Sequence, residues 1–189
     1  GRARPGAVPV ETVPGSYTLT YTASDAAGNA ATELTRTVVV ADTIAPVITL
    51  VGDASVNHEA GTTYTDAGAN ATDSFDGTLT VTTSGTVDAN IPGSYTLTYT
   101  ASDAAGNAAT EVTRTVVVAD TIAPVITLVG DASVNHEAGT AYTDAGANVE
   151  DIFDGTVTVT IAGDVDESVP GSYTLTYTAS DAAGNAATE

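Results

Sequence analysis

Apolar and polar residues alternate with period two along much of this 189-residue chain. The clearest run is 94–102, where Tyr95, Leu97, Tyr99 and Ala101 alternate with Thr96, Thr98 and Thr100. Such alternation turns the Tyr/Leu stripe toward a core and the threonines toward water, so the run reads as a strand. Its partner is 112–118, reached through Asp103-Ala-Ala-Gly-Asn107, a turn cluster that closes a hairpin. Upstream, residues 47–51 read as a first strand ending at Gly52-Asp53, residues 55–59 as a second and 69–72 as a short third. Asp76-Gly77 then turns the chain into a strand at 78–83, a brief one follows near 86–88, and Pro92-Gly93 leads into the tyrosine strand. Thr, Val, Ile and Tyr dominate throughout and suit a half-buried pleated surface. Little in the complete unit resembles a helix.

The pattern repeats. PGSYTLTYTASDAAGNAATE begins at Pro14, Pro92 and Pro170, and DTIAPVITLVGDASVNHEAGT begins at Asp42 and Asp120, in each case 78 residues apart. Between the last two copies, 59 of 70 comparable positions are identical. Residues 1–7 match no part of the repeat, 8–41 hold the end of one unit, 42–119 form a complete unit, and 120–189 form a unit without its last strand. Seven short strands in about 80 residues predict an all-β chain of immunoglobulin-like seven-stranded sandwiches, stacked in tandem as a rod. Substitutions between copies place Leu79/Val157, Thr83/Ile161 and Ile91/Val169 on the expected core.

Composition removes whole classes of function. The chain has 24 acidic residues against four arginines, no lysine, and a net charge of −20. Such a surface repels nucleic acid and anionic membranes, so neither is an expected partner. No apolar run approaches the ~18 residues needed to span a bilayer. There is no cysteine for disulfides, and no lysine or glutamine for an intramolecular isopeptide or ester staple. Metal ions at the joints between units are the stiffener left.

The motifs D-T-I-A-P-V-I-T-L-x-G-D, E-A-G-T-x-Y-T-D-A-G-A, F-D-G-T, P-G-S-Y-T-L-T-Y-T-A-S-D-A-A-G-N and T-R-T-V-V-V closely resemble the bacterial immunoglobulin-like repeat. That repeat is found in large secreted and surface-anchored proteins, often adhesins, and a related domain is attached to a pesticidal crystal protein. The resemblance covers nearly everything from residue 10 onward. It implies a seven-stranded sandwich in an extracellular, multi-domain rod at the cell surface; it names no ligand.

The acidic residues collect at expected strand ends. Counting strands as alternately up and down puts Asp42 at one pole with Asp66, Asp103 and Asn107. The same count puts Asp73 and Asp76 at the other pole, beside the linker residue Asp120. In the next unit Asp120 is expected near Asp144, Asp181 and Asn185. Carboxylates, an Asn carbonyl and loop carbonyls are the hard oxygen ligands that Ca²⁺ takes. Asp, Asn and Gly are equally the ordinary turn residues, so turn chemistry alone accounts for the same pattern. His58 and His136 each precede a glutamate, but strand neighbours point to opposite faces and do not share a metal easily. No serine or acid has a spaced base partner, so no catalytic residue and no enzyme activity is expected. The leading expectation is a structural spacer that presents an adhesive tip. One alternative is a filament subunit whose incomplete terminal units complement each other head to tail between copies. Another is a glycan- or protein-binding module.

Overall fold

The computed structural model describes residues 13–187, so the unmatched tail at 1–7 lies outside the described residues. Every regular element among them is a strand. The first hairpin is β1 (Gly15–Tyr21) and β2 (Leu34–Val40). The complete repeat contributes β3 (Val47–Leu50), β4 (Ser55–Glu59), β5 (Ala69–Asp73), β6 (Gly77–Leu79), β7 (Thr82–Ser84), β8 (Gly93–Thr100) and β9 (Val112–Ala119). The following repeat contributes β10 (Val125–Leu128), β11 (Ala147–Asp151), β12 (Gly155–Thr156), β13 (Val159–Ala162) and β14 (Thr176–Ala179).

In the complete repeat the strands form two sheets, ordered β3-β5-β6 and β4-β9-β8-β7. The tyrosine hairpin is as expected: β8 and β9 are antiparallel with Tyr99 opposite Val112 and Tyr95 opposite Val116. Two expectations fail. The strand at 78–83 is split into β6 and β7, which belong to different sheets, so the chain crosses over near Thr80-Val81. Residues 86–88 form no strand, because Gly85 (φ +94°) turns the backbone out of the extended region there.

The third difference decides where the acids meet. β4 runs parallel to β9, with Ser55 opposite Thr115 and Glu59 opposite Ala119. It therefore does not reverse the chain as an alternating count assumes. β5 in turn pairs with β3. The next repeat shows the sense, with Val125 opposite Glu150 in an antiparallel pair. The C-terminal end of the third strand thus lies beside the start of the first, at the pole where the chain comes in.

By contacts the chain forms two compact units, one made of the segments up to Ile48, Asn70–Val81 and Thr100–Thr110, the other of Thr49–Ala69, Thr82–Tyr99 and everything from Glu111 on. The first buries Ile48, Ala71, Ala101 and Ala109. The second buries Leu97, Tyr99, Val116, Val118 and Ala60, together with Val149 and Ala179. Alternate β8 and β9 residues face inward, as the period-two pattern requires. Ile91 (58% exposed), Ile161 (45%) and Val169 (53%) lie outside the core that the copy-to-copy substitutions suggested. Leu79 and Val157 are half-buried.

Candidate metal centre

Asp42, Asp73 and Asp103 converge at the leading pole of the complete repeat, each offering a carboxylate oxygen within 4.8 Å of the others. Three different pieces of chain deliver them: the linker before β3, the last residue of β5, and the turn after β8. The turn builds itself. The Asp103 Oδ1 accepts the Asn107 amide N–H at 2.7 Å, and the Asp103 backbone carbonyl accepts the Gly106 N–H at 3.3 Å. The same convergence recurs 78 residues later in Asp120, Asp151 and Asp181.

The unused oxygens separate these clusters from ordinary turn chemistry. Asp73 is buried to 9% exposure; its Oδ1 accepts the Phe75 and Asp76 N–H groups, while its buried Oδ2 has no hydrogen-bond partner. Asp151, also 9% exposed, repeats this with Phe153 and Asp154 and leaves its Oδ2 unpartnered. Asp42 Oδ2 and both carboxylate oxygens of Asp120 are buried and unpartnered as well. Buried polar groups are nearly always satisfied, so a cluster of orphaned carboxylate oxygens points to a missing positive partner. An all-oxygen set spanning 4.8 Å suits Ca²⁺, whose opposed ligands each stand about 2.3–2.6 Å from the ion.

Electrostatics agrees. Burial pushes the Asp120 carboxyl up to about 6, and the negative charges of Asp181, Asp151, Asp154 and Glu59 push in the same direction. Among the described residues no protein cation compensates, since the one ion pair there, Arg114 with Asp66, lies elsewhere. The backbone N–H groups of Asp76 and Phe75 hold Asp73 below the usual carboxylate range. For Asp181, burial opposes ionisation, but the Asn185 side chain and backbone outweigh it and the carboxyl is lowered.

The sequence-expected residues divide clearly. Asp42, Asp73 and Asp103 come together, as do Asp120 and Asp181. Asp73 and Asp76 are at the leading pole, not the trailing one, because β4 does not reverse the chain; Asp76 accepts the Ala104 N–H at 2.8 Å. Asp66 belongs to a different site. Its carboxylate takes hydrogen bonds from the Tyr99 hydroxyl (2.9 Å to each oxygen), from the Gly68 N–H and from the Arg114 guanidinium, which leaves it no ligand capacity. Asp144 is likewise bonded by the Tyr177 hydroxyl and the Gly146 N–H. Asn107 and Asn185 brace the site rather than supply a carbonyl. Their Nδ2 groups donate to Asp103 and Asp181 at 2.7 Å and to the backbone carbonyls of Asp42 and Asp120. Flipping either amide would set oxygen against carboxylate, which fixes the assignment. The rings of His58 and His136 each bond the Thr four residues on and stand edge-on to a tyrosine. Sequence reasoning missed Asp151. The 78-residue shift from Asp73 finds it directly.

Comparison with known proteins gives the family. Residues 5–40, 48–118 and 126–189 match the bacterial surface protein, Ig-like domain family. The chain belongs to that family. It is also 38% identical over 107 residues to an uncharacterized 81.3 kDa protein of Acholeplasma phage L2, an alignment covering 53% of this chain and 14% of the phage protein. A solved lipoprotein from Bacteroides thetaiotaomicron is similar at 27% identity and a TM-score of 0.36, over 55% of this chain and 54% of the lipoprotein. The chain thus spans well under two thirds of either relative. These Ig-like domains are modules of bacterial surface proteins, and the all-β architecture described above is the one the family implies.

Proposed function

We propose that the chain is a run of non-catalytic spacer modules from an extracellular bacterial surface protein, holding an adhesive or other functional domain away from the cell, with one Ca²⁺ site at the leading pole of each repeat. The observation that carries this reading is the recurrence of the same aspartate triad at 78-residue spacing, each time with buried carboxylate oxygens that no hydrogen bond among the described residues satisfies. Each triad joins the incoming linker to the end of the third strand and to the tyrosine hairpin turn. An ion there ties the linker to the sandwich and removes the mutual repulsion of three carboxylates. Extracellular calcium modules bind with dissociation constants of roughly 10⁻⁴–10⁻³ M, which matches the concentrations outside cells.

The test is a melting and calorimetric titration of chelated protein with Ca²⁺, with Mg²⁺ as comparison. At a free concentration ten times the dissociation constant, one site stabilises by about 1.4 kcal/mol, so the melting temperature rises with Ca²⁺ and rises less with Mg²⁺. The double variant D73N/D151N abolishes both the heat and the shift. Unchanged melting and no heat on adding Ca²⁺ to the parent chain overturn the reading.

A further inference from the structure

Phe153, two residues beyond Asp151, packs against the buried cluster of Ala60, Val116 and Val118 in the preceding repeat. Tyr64, Val87 and Tyr95 line the same hollow. Gly61 forms its rim: a Cβ added there would meet the Ile152 carbonyl oxygen at 3.1 Å and the Phe153 Cα at 3.3 Å. Gly61 is also at φ +77°, so both the backbone angle and the close approach require glycine. Beside the hollow, the Glu59 carboxylate accepts the Thr121 N–H at 3.0 Å, the Thr121 hydroxyl and the Ile122 N–H at 3.4 Å. The two residues so held follow Asp120 directly. The preceding repeat therefore grips the next one twice, once through the linker after Asp120 and once through the hairpin after Asp151.

We infer that Glu59, Gly61 and Phe153 form an inter-repeat latch that presets the cation site at Asp120, Asp151 and Asp181, so that a repeat docked on its predecessor binds its cation more tightly than one that is not. The inference rests on the calcium reading above and deepens it. The chain contains its own control. In the triad of Asp42, Asp73 and Asp103, the matching phenylalanine is Phe75, which is 52% exposed, whereas Phe153 is partly buried in its hollow. The second triad thus has two of its three ligand segments held before the ion arrives, at Thr121-Ile122 and at Phe153. Preorganised ligands lose less conformational freedom on binding.

The experiment measures Ca²⁺ affinity of the full chain by calorimetry in two backgrounds, D73N to isolate the second site and D151N to isolate the first. E59Q and F153A are added to each. In the D73N background both should weaken Ca²⁺ binding about fivefold or more, the lower end of ordinary site-to-site coupling; in the D151N background neither should change it. Affinities within twofold of the parent in the D73N background, or equal losses in both backgrounds, overturn the latch. Hydrogen exchange in chelator then separates this failure from failure of the calcium reading. E59Q should speed exchange at the Thr121 and Ile122 amides by about tenfold through loss of charge-assisted hydrogen bonds, whether or not any ion binds, and unchanged exchange there also overturns the latch.

Discussion

Residues 55–61 and 133–139 have the same sequence, Ser-Val-Asn-His-Glu-Ala-Gly, yet they are built differently. The first contains the strand β4, half-buried at Val56, His58 and Glu59 and fully buried at Ala60. The second contains no strand and is exposed throughout. The local bonds are the same in both: His58 with Thr62 and His136 with Thr140, at 3.1 and 3.0 Å to the backbone oxygen. What differs is the neighbour. β4 pairs along its whole length with β9, and among the described residues nothing occupies the place of β9 in the second repeat. The tyrosine strand follows the same rule, since Tyr99, beside β9, is fully buried and Tyr177 is intermediate. Hydrogen bonds a few residues long follow sequence; strands and burial follow the partner.

The largest effect should come from the group that β9 brings in. Arg114 is 1% exposed, with its guanidinium on Asp66, on the Tyr99 hydroxyl at 3.1 Å and on the backbone carbonyls of Asp53, Val51 and Gly68. D66N leaves that charge buried without its counter-ion and should cost about 3–5 kcal/mol. Among the described residues the matching carboxylate, Asp144, is bonded by tyrosine hydroxyls and a backbone N–H, and in this chain D144N should cost about 1 kcal/mol. Hydrogen exchange read peptide by peptide gives each repeat its own value. Equal losses would mean that Arg114 contributes nothing the tyrosines do not.

The legible parts of this fold are those decided within one hairpin or by the repeat itself. The Asp103–Asn107 turn, the inward stripe of Tyr95, Leu97 and Tyr99, and the period of 78 could all be read directly. The parallel direction of β4 could not, because 55–59 alternates no differently whether it reverses the chain or continues it. That one direction moved Asp73 and Asp76 from the trailing to the leading pole. Asp66 was misread for a related reason: its fate depends on an arginine 48 residues later, and the acidic turn around it looks like any other. The role of Gly61 was equally hidden, since its partner Phe153 belongs to the next repeat.

Acid should sharpen the Arg114 comparison with a smaller effect. Burial alone would raise the Asp66 carboxyl, but the Tyr99 hydroxyl and the Arg114 charge overcome it and hold the carboxyl below its ordinary value. A carboxylate depressed in the folded state stabilises above its unfolded pKa of about 3.9, and that stabilisation disappears as pH falls through the folded value. The stability gap between the parent chain and D66N should therefore be widest above about pH 5 and narrow below about pH 4. Urea denaturation at a series of pH values, in chelator, measures the gap. A gap that stays constant into acid would show that the Asp66 charge does not contribute.

The smallest effect tests the other half of the comparison, where neighbours should not matter. The Tyr95 hydroxyl donates to the Ile91 carbonyl at 2.7 Å and the Tyr173 hydroxyl to the Val169 carbonyl at 2.8 Å, both four residues back. A third copy, Tyr17 to Val13 at 2.8 Å, recurs at the first hairpin, 15–40. Tyr95→Phe and Tyr173→Phe each remove one exposed, uncharged hydrogen bond and should cost about 0.5–1.5 kcal/mol. The two losses should agree to within about 0.5 kcal/mol, the usual tolerance for independent sites. The corner closes within five residues and needs nothing from β9. If Tyr95→Phe proves much the more costly, the corner draws its strength from packing against Val116 and Val118, and locality would not explain why it recurs three times.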